Sequence, residues 1–271
     1  MRVDEHTIEI AGAPIVYRSA PWTGTPVVYL HSAPTSSEDW LPFLERTGGI
    51  APDLPGFGRS AKGGQLEYTL EAYERFLGAL LDAVGIEHVQ VVGHGWGAAV
   101  ALQLCRRQPE RVQRMVLVDA VPLLEGFRWP GFVRLFRSPV LGELIMGSVN
   151  RRMLARLLRR GSVEAGAWPA SRIDNVWEQF DQGTQRAILR LHRSLDDDAL
   201  VIAGEGLERL GQPTLIVWGE LDPWLDPAFA HAYSARLPAA EVELIPGAGH
   251  WPWLDRPDVI DTIAAFVGAS G

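Results

Sequence analysis

Residues 89–104 read VQVVGHGWGAAVALQL. A valine-rich run, Val89 to Val92, leads into Gly93-His94-Gly95-Trp96-Gly97, and an alanine- and leucine-rich helical pattern follows. A strand that turns sharply into a helix lifts the central residue of the turn clear of the sheet. Gly93 and Gly97 are small because larger side chains would collide across so tight a turn. The helix that follows aims its free N–H groups, and the positive end of its dipole, at whatever sits there. The turn is built to present a nucleophile, yet its centre, where serine, aspartate or cysteine is expected, is Gly95.

The surrounding chain has the rhythm of an α/β fold. TIEIAG (7–12) and PIVYRSA (14–20) pattern as an N-terminal hairpin. TPVVYLHS (25–32), HVQVVGHG (88–95), RMVLVDA (114–120) and PTLIVWGELD (213–222) are short apolar runs that end in small or polar residues. Such runs suit strands buried on both faces of a mostly parallel sheet. Residues 68–85 and 96–112 have helical spacing between them. Alternating strands and helices predict a central sheet flanked by helices, with ligands bound beyond the carboxyl ends of the strands. Between about Val121 and Glu205 the strand rhythm stops, and helical patterns carry Trp129, Trp168, Trp177 and many arginines. The expected organisation is a core of residues 1–120 and 207–271, with a helical cap, or lid, over 121–206.

Composition narrows the function. The chain has 271 residues and a formal net charge of −8, which argues against nucleic acid as a partner. No apolar run is long enough to span a bilayer. The acidic N-terminal stretch MRVDEHTIEIAG does not read as a signal peptide. A single cysteine, Cys105, rules out an intramolecular disulfide and suits a cytoplasmic location. The thiol lies in an apolar helical run and reads as buried and inert. The arginine run (Arg128, Arg134, Arg137, Arg151, Arg152, Arg156, Arg159, Arg160) reads as a solvated helix face. No cluster of His, Cys and acidic residues has ligand spacing, so no metal or other cofactor is expected. Gly93, Gly95 and Gly97 lack dinucleotide-fold spacing, because the third glycine follows too soon.

Five stretches, in order, resemble the α/β-hydrolase superfamily, in its lid-containing esterase, haloalkane dehalogenase and epoxide hydrolase-like branch. LHSAPTSSEDW looks like the oxyanion loop, which normally reads His-Gly-x-Pro. APDLPGFGRS looks like the Asp-x-x-Gly-x-Gly-x-Ser loop, in which Asp53 and Ser60 organise the turn. VVGHGWGAAVA is the nucleophile elbow. PTLIVWGELDPWLDP resembles the acid strand and IPGAGHWPWLDRPD the histidine loop. The resemblance implies His250 as catalytic base, Asp222 as its acid, Gly95 as the nucleophile position without a nucleophile, and the N–H groups of Ala33 and Trp96 as oxyanion hole. Asp226 and Asp119 compete for the acid's role. His31, Ser32, Trp129, Trp168 and Trp177 are candidate pocket residues. His31 and His94 read as structural, and His6, His88, His192 and His231 as surface residues.

Ser32 stands where glycine is usual in the family. Its hydroxyl is a candidate donor or substitute nucleophile, and the donor reading is preferred because residue 32 belongs to the oxyanion side rather than to the elbow. Trp96 after the elbow centre and the PTSS run are shared with haloalkane dehalogenases, but the halide-binding asparagine would fall at Ala33. The lid has none of the tyrosines that open epoxides. A serine-type ester or carbon–carbon hydrolase ancestor is therefore preferred. Glycine is the easiest resident of a strained turn, so a hydrolase missing only its nucleophile would be recovered by Gly95→Ser.

The expected activity is hydrolysis of small, mostly apolar ester or acyl compounds, with the usual covalent mechanism closed by Gly95. The alternatives are a ligand-binding pseudo-hydrolase, a His–Asp lyase or oxygenase that needs no nucleophile, and a disarmed dehalogenase. The partner implied is a small-molecule substrate, without nucleic acid or membrane; a homodimer is compatible with the sequence.

Overall fold

A computed structural model describes residues 1–268. The apolar runs form strands of one eight-stranded sheet: β1 (Asp4–Ile10), β2 (Ala13–Ala20), β3 (Val27–Leu30), β4 (Gly49–Pro52), β5 (Val89–His94), β6 (Val112–Val118), β7 (Thr214–Gly219) and β8 (Ala240–Ile245). Their spatial order is β1-β2-β4-β3-β5-β6-β7-β8. The β1–β2 hairpin and the β2–β4 pair are antiparallel, and the other pairs are parallel. All residues of β3, β5 and β7 are buried, as the continuous apolar runs require of strands covered on both faces.

Register gathers the site. Leu30 pairs with Gly93, His94 with Val118, and Val118 with Val217. The loops that leave β3, β5, β6 and β7 therefore emerge side by side on one edge of the sheet. That edge receives Ser32 and Ala33, Gly95, Asp119 and Asp222 from four separate parts of the chain.

Helices α1 (Leu41–Thr47), α2 (Leu70–Ala83) and α3 (Trp96–Arg107) precede the break in rhythm. In α2, Leu70, Tyr73, Leu77, Leu80 and Leu81 are buried at helical spacing, and the Thr69 hydroxyl accepts the Ala72 N–H at the N-cap. Between β6 and β7 the chain forms α4 (Gly131–Arg137), α5 (Leu141–Ser148), α6 (Arg151–Arg160), α7 (Ala170–Gln179), α8 (Gln182–Ser194) and α9 (Asp197–Ala203). Side chains of Asn150, Asp181 and Asp196 cap α6, α8 and α9. Helices α10 (Ala228–Ser234), α11 (Pro252–Asp255) and α12 (Asp258–Gly268) complete the fold. Among the described residues, no helix is long and apolar enough to cross a membrane.

Two strands carry no apolar-run signal of their own. Strand β4 is four residues, GIAP, with a glycine and a proline. Strand β8, AEVELI, lies at the sheet edge, holds two glutamates and is largely half-exposed.

Candidate active site

The elbow is as sharp as its glycines suggest. Gly95 has φ +51° and ψ −111°, a conformation that an L side chain rarely adopts. A Cβ on Gly93 would lie 2.5 Å from the Ala98 nitrogen and from the Gly97 carbonyl carbon. One on Gly97 would lie 2.5 Å from the Leu30 carbonyl carbon. Both flanking positions must be glycine because backbone, which cannot yield, stands where a side chain would go. The turn is pinned to its neighbour strand by Gly95 N–H to the Val118 carbonyl (3.0 Å) and Val121 N–H to the Gly95 carbonyl (3.1 Å).

Of the three candidate acids, Asp222 is the one in contact with His250. His250 Nδ1 lies 2.7 Å from Asp222 Oδ2. Asp222 Oδ1 accepts the N–H groups of Trp224 (2.8 Å) and Leu225 (3.1 Å), which fixes the carboxylate's orientation. With Nδ1 held by a carboxylate, Nε2 is the ring nitrogen left to take a proton. Asp226 is exposed and accepts the Ala228 N–H at the start of α10 instead. Asp119 is fully buried behind the pair, where its Oδ1 accepts the Gly219 N–H at 3.0 Å. Burial first, and then the charge of Asp222, hold its carboxyl well above the usual carboxylate range. Two adjacent buried carboxylates cannot both hold charge cheaply. Oxygens of Asp119 and Asp222 and a ring nitrogen of His250 lie within 4.8 Å of one another, close enough for a cation. Asp222 there accepts three N–H groups, one of them from His250 Nδ1, and Asp119 accepts one.

His94 supports the base from behind. Its Nε2 donates to the His250 carbonyl at 2.8 Å, and the two rings sit 4.6 Å apart. Burial pushes the His94 ring well below the usual imidazole range. The histidine loop is also tied to the helical insertion. The His250 N–H donates to the Gly161 carbonyl at 2.7 Å. Buried Asp255 accepts from Gly249 (2.8 Å), Val163 (2.9 Å) and Glu164 (2.8 Å). No sequence motif marks Asp255; only the fold brings its three donors together.

On the other side stands the loop after β3. His31 is wholly buried. Its Nε2 accepts the Leu54 N–H (2.9 Å) and its Nδ1 donates to the Ser32 carbonyl (2.9 Å), so it orders the loop and lines nothing. Asp53 accepts from Ser37 and Arg59, and Ser60 donates to the Asp53 carbonyl, as loop organisers should. The Ala33 N–H has no protein acceptor among the described residues. The Trp96 N–H is engaged, donating to Ser32 Oγ at 3.2 Å. Ser32 is thus not confined to the oxyanion side. A Cβ on Gly95 would overlap Ser32 Oγ, and would lie 2.9 Å from Ser32 Cβ and 3.9 Å from His250 Nε2. The space where an elbow side chain begins is taken by the Ser32 hydroxyl, so Gly95→Ser by itself meets a steric obstacle.

A cavity of about 800 Å³ opens above these groups, between the sheet edge and the helical insertion. Ser32, Ala33, Gly95, Trp96, Trp129 and His250 line it. Trp168 and Trp177 do not. Trp168 packs edge-on against Trp251 with its Nε1 donating to Ser162, and Trp177 stacks on Phe180. Trp224 and Trp251, from the acid and histidine loops, and Phe132, Met153 and His192, which no motif marks, complete much of the wall. His192 is no surface residue. Its Nδ1 donates to the Ile188 carbonyl (2.8 Å), which leaves Nε2 to accept the Trp96 indole N–H (3.4 Å). Burial lowers its pKa to about 4, with Arg137 adding to the effect. Most of the insertion's arginines are exposed, and Arg128 and Arg160 reach the cavity rim. Cys105 is buried away from the site, with its thiol pushed up to about 12.

Comparison with known proteins identifies the family. The alpha/beta hydrolase fold model matches residues 25–257, and the chain belongs to that family. A haloalkane dehalogenase of Mesorhizobium japonicum is 29% identical over 280 residues, covering 93% of this chain and 87% of that protein. The sn-1-specific diacylglycerol lipase ABHD11 of Mus musculus is 25% identical over 252 residues, covering 89% of this chain and 80% of that protein. Among solved structures, haloalkane dehalogenase DbeA from Bradyrhizobium elkani superposes with a TM-score of 0.86 at 26% identity, covering 98% of both chains. Hydrolase homologues of this kind support hydrolase chemistry on a small-molecule substrate.

Proposed function

We propose that this protein hydrolyses small, mostly apolar ester or acyl compounds, with His250 as general base and Asp222 as the group that orients it. The observation that carries the reading is the His250–Asp222 contact of 2.7 Å at the floor of a largely apolar cavity beside the elbow. His250 Nε2 takes a proton from the attacking group and returns it to the leaving alcohol. Asp222 holds the ring and stabilises the imidazolium. The Ala33 N–H, which has no acceptor among the described residues, favours an oxyanion; the Trp96 N–H at the head of α3 is given to Ser32 Oγ and would join it only on release.

An acyl substrate is preferred over a haloalkane because the groups that would hold a halide are missing or engaged. Ala33 offers no side-chain donor, and the indole N–H of Trp96 is bound to His192. The test is hydrolysis of p-nitrophenyl esters from acetate to octanoate by the wild-type protein and by His250→Ala. A measurable kcat/KM that falls about 10²–10⁴-fold in the variant is expected. A wild-type protein inert to the whole series would end the ester reading, and chloride or bromide release from haloalkanes would replace it.

A further inference from the structure

We propose that Ser32 is the displaced nucleophile of this enzyme: a hydroxyl carried on the loop after β3 that occupies the space where the elbow of β5 would normally place one. The inference rests on the hydrolase reading above and names its attacking group.

Three observations converge. The Ser32 hydroxyl stands too close to the point where a Cβ on residue 95 would lie for both to fit, and that same point is 3.9 Å from His250 Nε2, so Ser32 Oγ borders the base without a hydrogen bond to it. Ser32 Oγ also accepts the Trp96 N–H at 3.2 Å, at the N-terminus of α3. An N–H and a helix's positive end favour the alkoxide that forms as the proton leaves. Lastly, Ser32 is buried and lines the cavity floor with Gly95 and His250. Its carbonyl is fixed by His31 Nδ1 and by the N–H and hydroxyl of Thr35, so the loop holds the residue in place. A glycine at 95 and a serine at 32 are then one exchange: the hydroxyl moves across the cleft, and the residue it faces must lose its side chain.

The chemistry balances without any further reactant. His250 Nε2 takes the Ser32 proton as Oγ bonds to the acyl carbon, and the Ala33 N–H receives the oxyanion. The carbon–oxygen bond to the alcohol breaks, and the alcohol leaves with the proton from His250. Water then attacks the acyl-Ser32 ester, giving a proton to His250. Collapse releases the acid and returns the proton to Ser32.

The experiment is an acid quench of the wild-type protein with p-nitrophenyl acetate, followed by intact-mass and peptide-mapping mass spectrometry. The expected result is one acetyl group on Ser32, preceded by a burst of p-nitrophenol, with neither seen in Ser32→Ala or His250→Ala. Steady-state turnover should fall about 10³-fold or more in Ser32→Ala. The double variant Ser32→Gly/Gly95→Ser should move the acetyl group to position 95, whereas Gly95→Ser alone should not. If Ser32→Ala keeps a His250-dependent turnover, water attacks directly; the proposal then fails while the hydrolase reading survives. An acetyl group on any other residue also overturns it. A wild-type protein that neither turns over nor acetylates sinks both readings.

Discussion

The floor and the roof of the cleft are held by different forces. The floor is the carboxyl edge of β3, β5, β6 and β7, where every residue of three of those strands is buried and glycines are packed against backbone. The roof is a set of helices that meets the floor through aromatic packing, Trp129 on Trp96 and Trp168 on Trp251, and through polar ties, among them Gly161 and Asp255 at the histidine loop, His192 on Trp96 and Lys62 on Asp181. The floor fixes chemistry by steric necessity. The roof fixes the shape of the cavity through hydrogen bonds that single substitutions, or a change of pH, can release.

The largest effect is expected at the floor. Gly97→Ala drives a Cβ into the carbonyls of Leu30 and His31, so it should lower stability by about 3 kcal/mol. The check is the urea midpoint at unchanged slope. A loss below about 1 kcal/mol would mean that the elbow is softer than its packing implies.

Next comes the tie between floor and roof. Asp255→Ala leaves the N–H groups of Gly249, Val163 and Glu164 without their acceptor. About 2–3 kcal/mol should be lost, and proteolysis between residues 161 and 168 should quicken more than global unfolding does. Equal acceleration everywhere would erase the distinction between the two regions.

A smaller effect, set by pH, belongs to His192. Its pKa is lowered to about 4 in the fold, against about 6.5 when exposed. The unfolded chain therefore binds the proton first. The stability of the neutral residue is present above about 6.5 and is lost as pH falls toward 4. His192→Gln should lose stability less steeply over that window, as measured by thermal unfolding at stepped pH. Parallel curves for the two proteins would show that His192 is not held neutral.

The smallest change is expected on the exposed arginines of α6. Arg152→Ala and Arg156→Ala should alter stability by no more than about 0.5 kcal/mol and leave hydrolysis of neutral esters unchanged. A large drop in turnover would mean that this face serves the substrate and is not merely solvated.

Much of the floor was legible in the chain, because its constraints are local. A strand buried on both faces must be apolar throughout, so VVYL, VQVVGH and TLIVWG mark themselves. An elbow must have glycines at 93 and 97, since backbone occupies the space their side chains would need. The order of the loops singles out His250, and Asp222 ahead of Asp119 and Asp226, as candidates. Edge strand β8 escapes the same logic, because a half-exposed strand tolerates Glu241 and Glu243.

The roof residues were not legible. Trp129, Trp168 and Trp177 look alike in the sequence, yet only Trp129 reaches the cavity. The side of a helix that faces a cleft depends on how whole helices dock, and no spacing records that. His192 and Asp255 are hidden for the same reason: their partners lie 96 and 92 residues away in the chain.

By itself, then, the sequence determined the α/β-hydrolase fold, the position of the elbow and the absence of a side chain at its centre. Periodicity and steric exclusion write those facts into neighbouring residues. Only the tertiary structure decided that Asp222, and neither Asp119 nor Asp226, meets His250, and that the space beside Gly95 is filled by Ser32. Both outcomes depend on register between strands far apart in the chain, which brings the end of β3 level with the end of β5 and sets the Ser32 hydroxyl against Gly95.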